Sequence, residues 1–218
     1  MKKATLLFTA LLFMILAVQA QDTQLENAVA LLDKAQTVKD YQDLSARFTQ
    51  AGNAQQTNWL PYYYAALCNA KIGFLLQDDG ERIEPFSNEG ESNAKQAREL
   101  LRAGGNKKDL AELYTVMSMI YRTRVFINPM TYGRKYGPTS QQYLDKALEL
   151  DPDNPRALYV QAWVKYYTPK MWGGDKDKAK TLLESALQKL AAQKAGGVEP
   201  HWGKTESEAL LAKTGSKQ

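Results

Sequence analysis

Residues 144–155 read LDKALELDPDNP, and RALYVQAWVKYY (156–167) and KAKTLLESALQKL (178–190) follow close behind. Leu144 and Ala147 are three apart and share one helical face. Asp151-Pro152 stops that helix, because proline has no N–H to donate and disfavours helical geometry in the residue before it. Asn154-Pro155 starts the next one: the asparagine side chain caps free N–H groups, and proline fits the first turn. The unit is helix, tight turn, helix. Elsewhere in the chain, apolar spacings of three and four recur and alternation at period two is nearly absent. The fold class expected is all-α, with helices near 23–36, 38–51, 58–76, 92–104, 109–125, 139–150, 155–167, 175–193 and 205–214. Thr139 with Gln142 and Thr205 with Glu208 match the capping-box spacing, and the Gly104-Gly105 and Gly196-Gly197 pairs suit helix ends.

The first twenty residues read differently. Lys2-Lys3 precede an apolar run from Leu6 to Val18, and Val18-Gln19-Ala20 places small residues where a signal peptidase reads them. The run has 13 residues, short for a bilayer span. Residues 1–20 are expected to be a signal peptide and residues 21–218 a single exported domain, periplasmic or extracellular. Without Lys2 and Lys3 the formal charge of +4 becomes +2. The remaining Lys and Arg are interleaved with Glu and Asp, as on a solvated face, so nucleic acid is not an expected partner. Cys68 is the only cysteine; it forms no intrachain disulfide and reads as a small buried apolar residue.

The helix–turn–helix unit around residues 144–190 resembles the tetratricopeptide repeat, a 34-residue helical hairpin. That resemblance implies a right-handed solenoid of helix pairs, here about 23–51, 58–104, 109–150 and 155–193, closed by a C-terminal capping helix within 200–214. Aligning the second helices on Ala51, Ala103, Ala147 and Ala186 places Phe48, Leu100, Leu144 and Leu183 three residues before each. The spacings exceed the family period, and the surplus falls between paired helices, in 77–90, 127–138 and 168–175. The chain also resembles a group of exported tetratricopeptide-repeat proteins of Bacteroidota-type bacteria. The motifs that carry this likeness are Trp59-Leu60-Pro61-Tyr62-Tyr63-Tyr64-Ala65-Ala66, the stretch from Asn128-Pro129 to Tyr136-Gly137-Pro138, and Gly173-Gly174 before Lys178-Ala179-Lys180. No catalytic residue carries over from it.

Repeats of this kind bind other proteins, so the main functional expectation is a non-catalytic scaffold that takes a protein or peptide partner. The inner face implied by the register carries Tyr63, Met119, Arg122, Tyr159, Trp163 and Tyr166, a groove suited to an extended peptide or a helix. The other reading of that face is that His201-Trp202-Gly203-Lys204 and the helix after it fill the groove as a cap. Stacked insertions would form a loop rim with Tyr132, Arg134, Tyr136 and Trp172, and the alternative function is an accessory protein that binds a small ligand or glycan through these Gly/aromatic loops. One histidine, His201, leaves little basis for a metal site or a Ser-His-Asp triad. Asp175-Lys176-Asp177 lacks the later ligands of a calcium loop, and Gly173-Gly174-Asp175-Lys176 lacks phosphate-loop spacing. No cofactor, metal site or enzymatic activity is expected.

Overall fold

The computed structural model describes residues 23–102, 104–193 and 196–215. The expected signal peptide and the expected cleavage point before Gln21 lie outside these residues, as does Ala103. Helix α1 covers 23–32. It is followed by α2 (Val38–Ala54), α3 (Leu60–Leu75), α4 (Glu84–Arg102), α5 (Lys107–Ile127), α6 (Pro129–Leu150), α7 (Pro155–Tyr167), α8 (Lys176–Ala192) and α9 (Lys204–Gly215). Short 3-10 turns at Gly80–Arg82 and Lys170–Trp172 lead into α4 and out of α7. No strand occurs among the described residues. No helix among them is long and apolar enough to cross a membrane.

Helix starts follow local chemistry. Thr37 and Asp40 form a reciprocal capping box on α2. Asn106, Asn128, Asn154 and Asp175 each accept a backbone N–H at the start of α5, α6, α7 and α8. Consecutive helices from α2 to α9 pack on one another, and the first helices of successive hairpins, α3, α5 and α7, also touch. α3 sits between α2, α4 and α5 and is buried from Leu60 to Ala70. Its tyrosines hold the core without leaving bare hydroxyls: Tyr62 donates to Asn53 (2.8 Å), Tyr63 to Glu112 (3.1 Å) and Tyr64 to the carbonyl of Val198 (2.7 Å). Cys68 is fully buried there, and burial pushes its thiol pKa up.

Ala147 and Ala186 are fully buried, with Leu144 and Leu183 beside them. In α4 the register differs from the sequence reading. Gly90, Ala94 and Ala97 face the core, while Leu100 is only partly buried. The helix starts at Glu84, a full two turns earlier than expected, so its close contact comes in mid-helix. A Cβ at Gly90 would lie 3.0 Å from the Asn69 side chain on α3.

Two of the three expected loops are largely helix. Residues 84–90 belong to α4, and 129–138 form the first turns of α6, leaving Asn128 alone between α5 and α6. Gly133, Gly137 and Pro138 disguised that helix. Pro138 forfeits one backbone bond, which the Asn128 cap and ring contacts of Tyr132 and Tyr121 with Tyr136 (5.4 and 6.2 Å) help to offset. The third insertion, 168–175, contains no α-helix, only the 3-10 turn at Lys170–Trp172.

Candidate functional site

The C-terminal ends of α5 and α7, the N-terminal turn of α6 and the 168–172 loop enclose a cleft of about 850 Å³. Its floor is built at helical spacing. Arg122, Val125 and Phe126 lie at i, i+3 and i+4 on α5, and Trp163 and Tyr167 at i and i+4 on α7; all five line the cleft. Behind them Phe74 of α3 stacks edge-on with Trp163 (5.1 Å) and with Phe126 (5.4 Å), while Trp163 and Tyr167 are 4.7 Å apart. These contacts fix the rings in place before any ligand arrives.

The mouth is shaped by the loop. Asp175 N–H donates to the Lys165 carbonyl (2.8 Å), Gly174 N–H to that of Pro169 (3.1 Å), and Lys165 Nζ to that of Gly173 (2.9 Å). Gly173 adopts a left-handed conformation, with φ of 90°, which glycine tolerates best. At Gly174 a Cβ would sit 1.7 Å from the Thr168 carbonyl oxygen, so only glycine fits. The closed turn holds Trp172 out at 75% exposure, across from Met130 at 88%. Large exposed apolar side chains around a concave site mark a binding surface.

Two cations and no anion line this cleft: Arg122 in its wall and the exposed Arg134 on α6. Burial holds the Arg122 guanidinium below its ordinary pKa. The Tyr167 hydroxyl accepts from Lys213 Nζ (3.1 Å), tying α9 to the cleft. No His or Cys lines it. His201 is held elsewhere, by Asp33 (3.0 Å) and the Glu199 carbonyl (2.8 Å). No group of three or more His, Cys, Asp or Glu among the described residues is placed to hold a metal ion.

The ten residues singled out from the sequence separate into three places. Arg122, Arg134, Trp163 and Trp172 converge on the cleft. Tyr132 and Tyr136 do not reach it and are not loop residues. They lie on α6 with Lys135, against Tyr121 and Arg124 of α5, and the Lys135 ammonium, 4.9 Å from the Tyr136 ring, lowers that phenol's pKa. Tyr63, Met119 and Tyr159 are not open to a peptide. Tyr63 and Met119 are core residues, and Trp202 covers this face, donating Nε1–H to the Tyr63 hydroxyl (2.8 Å) and meeting Tyr159 edge-on at 6.3 Å. The Lys71–Glu206 ion pair pins α9 beside it. Tyr166 faces α9, its hydroxyl 3.4 Å from the Lys213 carbonyl. The concave groove is therefore filled by the C-terminal segment.

Phe126, Tyr167 and Met130 were missed by the sequence reading. The signal for the first two was the i+4 step from Arg122 and Trp163. Other cavities are poorer sites. One of about 560 Å³ between α1 and α2 has no aromatic wall, and one of about 510 Å³ contains the Glu112–Arg156 pair, whose charges already satisfy each other.

Fold and cleft together describe an all-helical protein with a preformed, largely apolar cleft. No protein-family model and no curated protein matches the chain. Among solved structures it is similar to the HusA haemophore from Porphyromonas gingivalis, at 32% sequence identity and a TM-score of 0.75, over 88% of this chain and 90% of that one. With that identity over nearly the whole of both chains, the protein belongs to the family of the HusA haemophore.

Proposed function

We propose that the protein is an exported, non-catalytic haem-binding protein that carries a tetrapyrrole in the α5–α6–α7 cleft. The observation that carries this is the cleft itself: about 850 Å³, walled by Trp163, Phe126, Val125 and Pro169, with Trp172 and Met130 standing free at its mouth. Its volume lies in the range of small-molecule sites, roughly 300–1,000 Å³. A flat macrocycle with apolar edges gains most from aromatic walls that are already rigid. The likeness to a haemophore supports the same ligand class, and with the leader-like residues 1–20 it supports export to the periplasm or beyond. The lining has few hydroxyl or amide groups, which suits a porphyrin better than a glycan. A peptide scaffold loses its main support, because the groove that would hold the peptide is occupied by Trp202 and α9.

Within the cleft the residues divide the work. Trp163 and Phe126, braced by Phe74, supply the inner wall and exclude water. Trp172 and Met130 gain burial only when a ligand is present. Haemin, and separately metal-free protoporphyrin IX, titrated into residues 21–218 should quench tryptophan fluorescence and shift the Soret band at micromolar concentrations. Trp163→Ala and Trp172→Ala should each weaken binding by about tenfold or more. Wild-type protein that binds neither compound, or both variants binding as wild type does, refutes the assignment.

A further inference from the structure

Resting on the tetrapyrrole reading of the cleft, we infer that Arg122 is a carboxylate receptor, so that the ligand seats with an acidic substituent turned inward onto the wall rather than left in solvent. Among the described residues three arginines have a buried Nε with no hydrogen-bond partner: Arg98, Arg122 and Arg124. Two of them stand beside an acid, with Glu99 3.9 Å from Arg98 and Glu91 2.5 Å from Arg124. Arg122 has no such neighbour. Burial holds its guanidinium below the ordinary pKa, and no carboxylate among the described residues stands beside it.

A guanidinium remains charged at neutral pH even when partly desolvated. An unpaired cation against apolar rings is costly unless an anion completes it. The location of Arg122 says where that anion comes from. Its side chain lines the cleft, one turn before Phe126, and the only other charged group in the lining is a second cation, Arg134. Low-dielectric walls concentrate the field of both. The Nε–H is sealed off by its neighbours, so the fork offered to the cleft is the end-on pair of Nη N–H groups, which matches a carboxylate in two parallel bonds. A porphyrin with propionate side chains presents that group on the rim of a flat apolar body, so one seating satisfies both the rings and the arginine. Arg134, exposed at the mouth, meets ligand in full contact with water and contributes far less.

The test compares protoporphyrin IX with its dimethyl ester, which keeps the macrocycle and removes the charge. Wild-type protein should bind the diacid about 10- to 100-fold more tightly than the ester. Arg122→Met should bring the diacid down to the affinity of the ester while leaving the ester unchanged. Arg122→Lys should restore part of the preference, and Arg134→Met should keep most of it. Ligand-free Arg122→Met should melt at or above the wild-type temperature, because an unpaired buried cation has been removed; a purely structural role predicts the opposite. Equal binding of diacid and ester by the wild type, or an undiminished preference in Arg122→Met, overturns the inference. If Arg122→Met does not fold, the wild-type ratio decides alone. Failure of the wild type to bind either porphyrin instead defeats the cleft assignment itself.

Discussion

Replacing Glu112 with alanine should cost the fold about 3–5 kcal/mol, because it strands Arg156 inside the protein. The two side chains are 8% and 5% exposed. Arg156 Nε donates to both carboxylate oxygens (2.8 and 2.7 Å), and its Nη2 donates to Oε1 at 2.6 Å. Asn154 Nδ2 also reaches Oε1 (2.5 Å), and the Tyr63 hydroxyl reaches Oε2 (3.1 Å). Burial on its own would lower the Arg156 pKa; the Glu112 carboxylate outweighs it, and the net shift is upward. Removing that carboxylate leaves a guanidinium, an amide and a phenol without their acceptor. These losses overlap rather than add, so the figure for breaking a buried pair covers them. In a domain of this size 1 kcal/mol moves the melting midpoint by about 2–4 °C, which puts the fall at about 6–20 °C by scanning calorimetry. The double variant Glu112→Leu/Arg156→Met should recover most of the loss, because an apolar pair of similar volume needs no desolvated charge. A Glu112→Ala midpoint within about 2 °C of wild type would refute the reasoning.

Ala147→Leu and Ala186→Leu should each destabilise by about 1–3 kcal/mol in urea melts, because both sites are fully buried between helices. Gly174→Ala should lower stability by more than about 1 kcal/mol and disturb Trp172 fluorescence, since its Cβ collides with the Thr168 carbonyl. Gly137→Ala, with open space around it in mid-α6, should instead raise stability by about 0.5–1 kcal/mol. Burial opposes ionisation of Glu206, but Lys71 outweighs it and the folded pKa is depressed. The stability this pair contributes is therefore present above the ordinary glutamate value of 4.5 and is lost as pH falls through the lower folded value. Lys71→Met should flatten that acid limb of the melting-temperature profile, and an unchanged limb would contradict the assignment.

How far the sequence carried depended on whether the deciding contacts were local. The Asp151–Pro155 boundary was legible because a cap and a proline act within one turn, and Asn154 does accept two backbone N–H groups there. The 129–138 helix was not. Gly133, Gly137 and Pro138 each disfavour helix locally, and what sustains the helix is packing on α5, which no window of neighbouring residues contains. Arg122, Trp163, Arg134 and Trp172 emerged as suspects from residue type, yet they were assigned to two surfaces, groove and rim, when one cleft collects them. Tyr63 failed for the same non-local reason: an inner-face aromatic is a binding residue or a core residue depending on whether a distant tryptophan lies over it.

That tryptophan has a kinetic consequence. The bond from Trp202 to Tyr63 joins residues 139 apart, and Tyr64 reaches Val198 over 134. Closing so long a loop carries an entropic cost that local helix formation does not. A chain that emerges from the ribosome amino end first can form its hairpins as they appear, but the core around α3 stays open until Val198, Trp202 and Glu206 arrive. Until then Tyr63 and Lys71 face water, and the apolar surface of α3 is open to a protease or an aggregating neighbour. Residues 198–206 act as the latch on a fold whose other contacts are mostly between neighbouring helices.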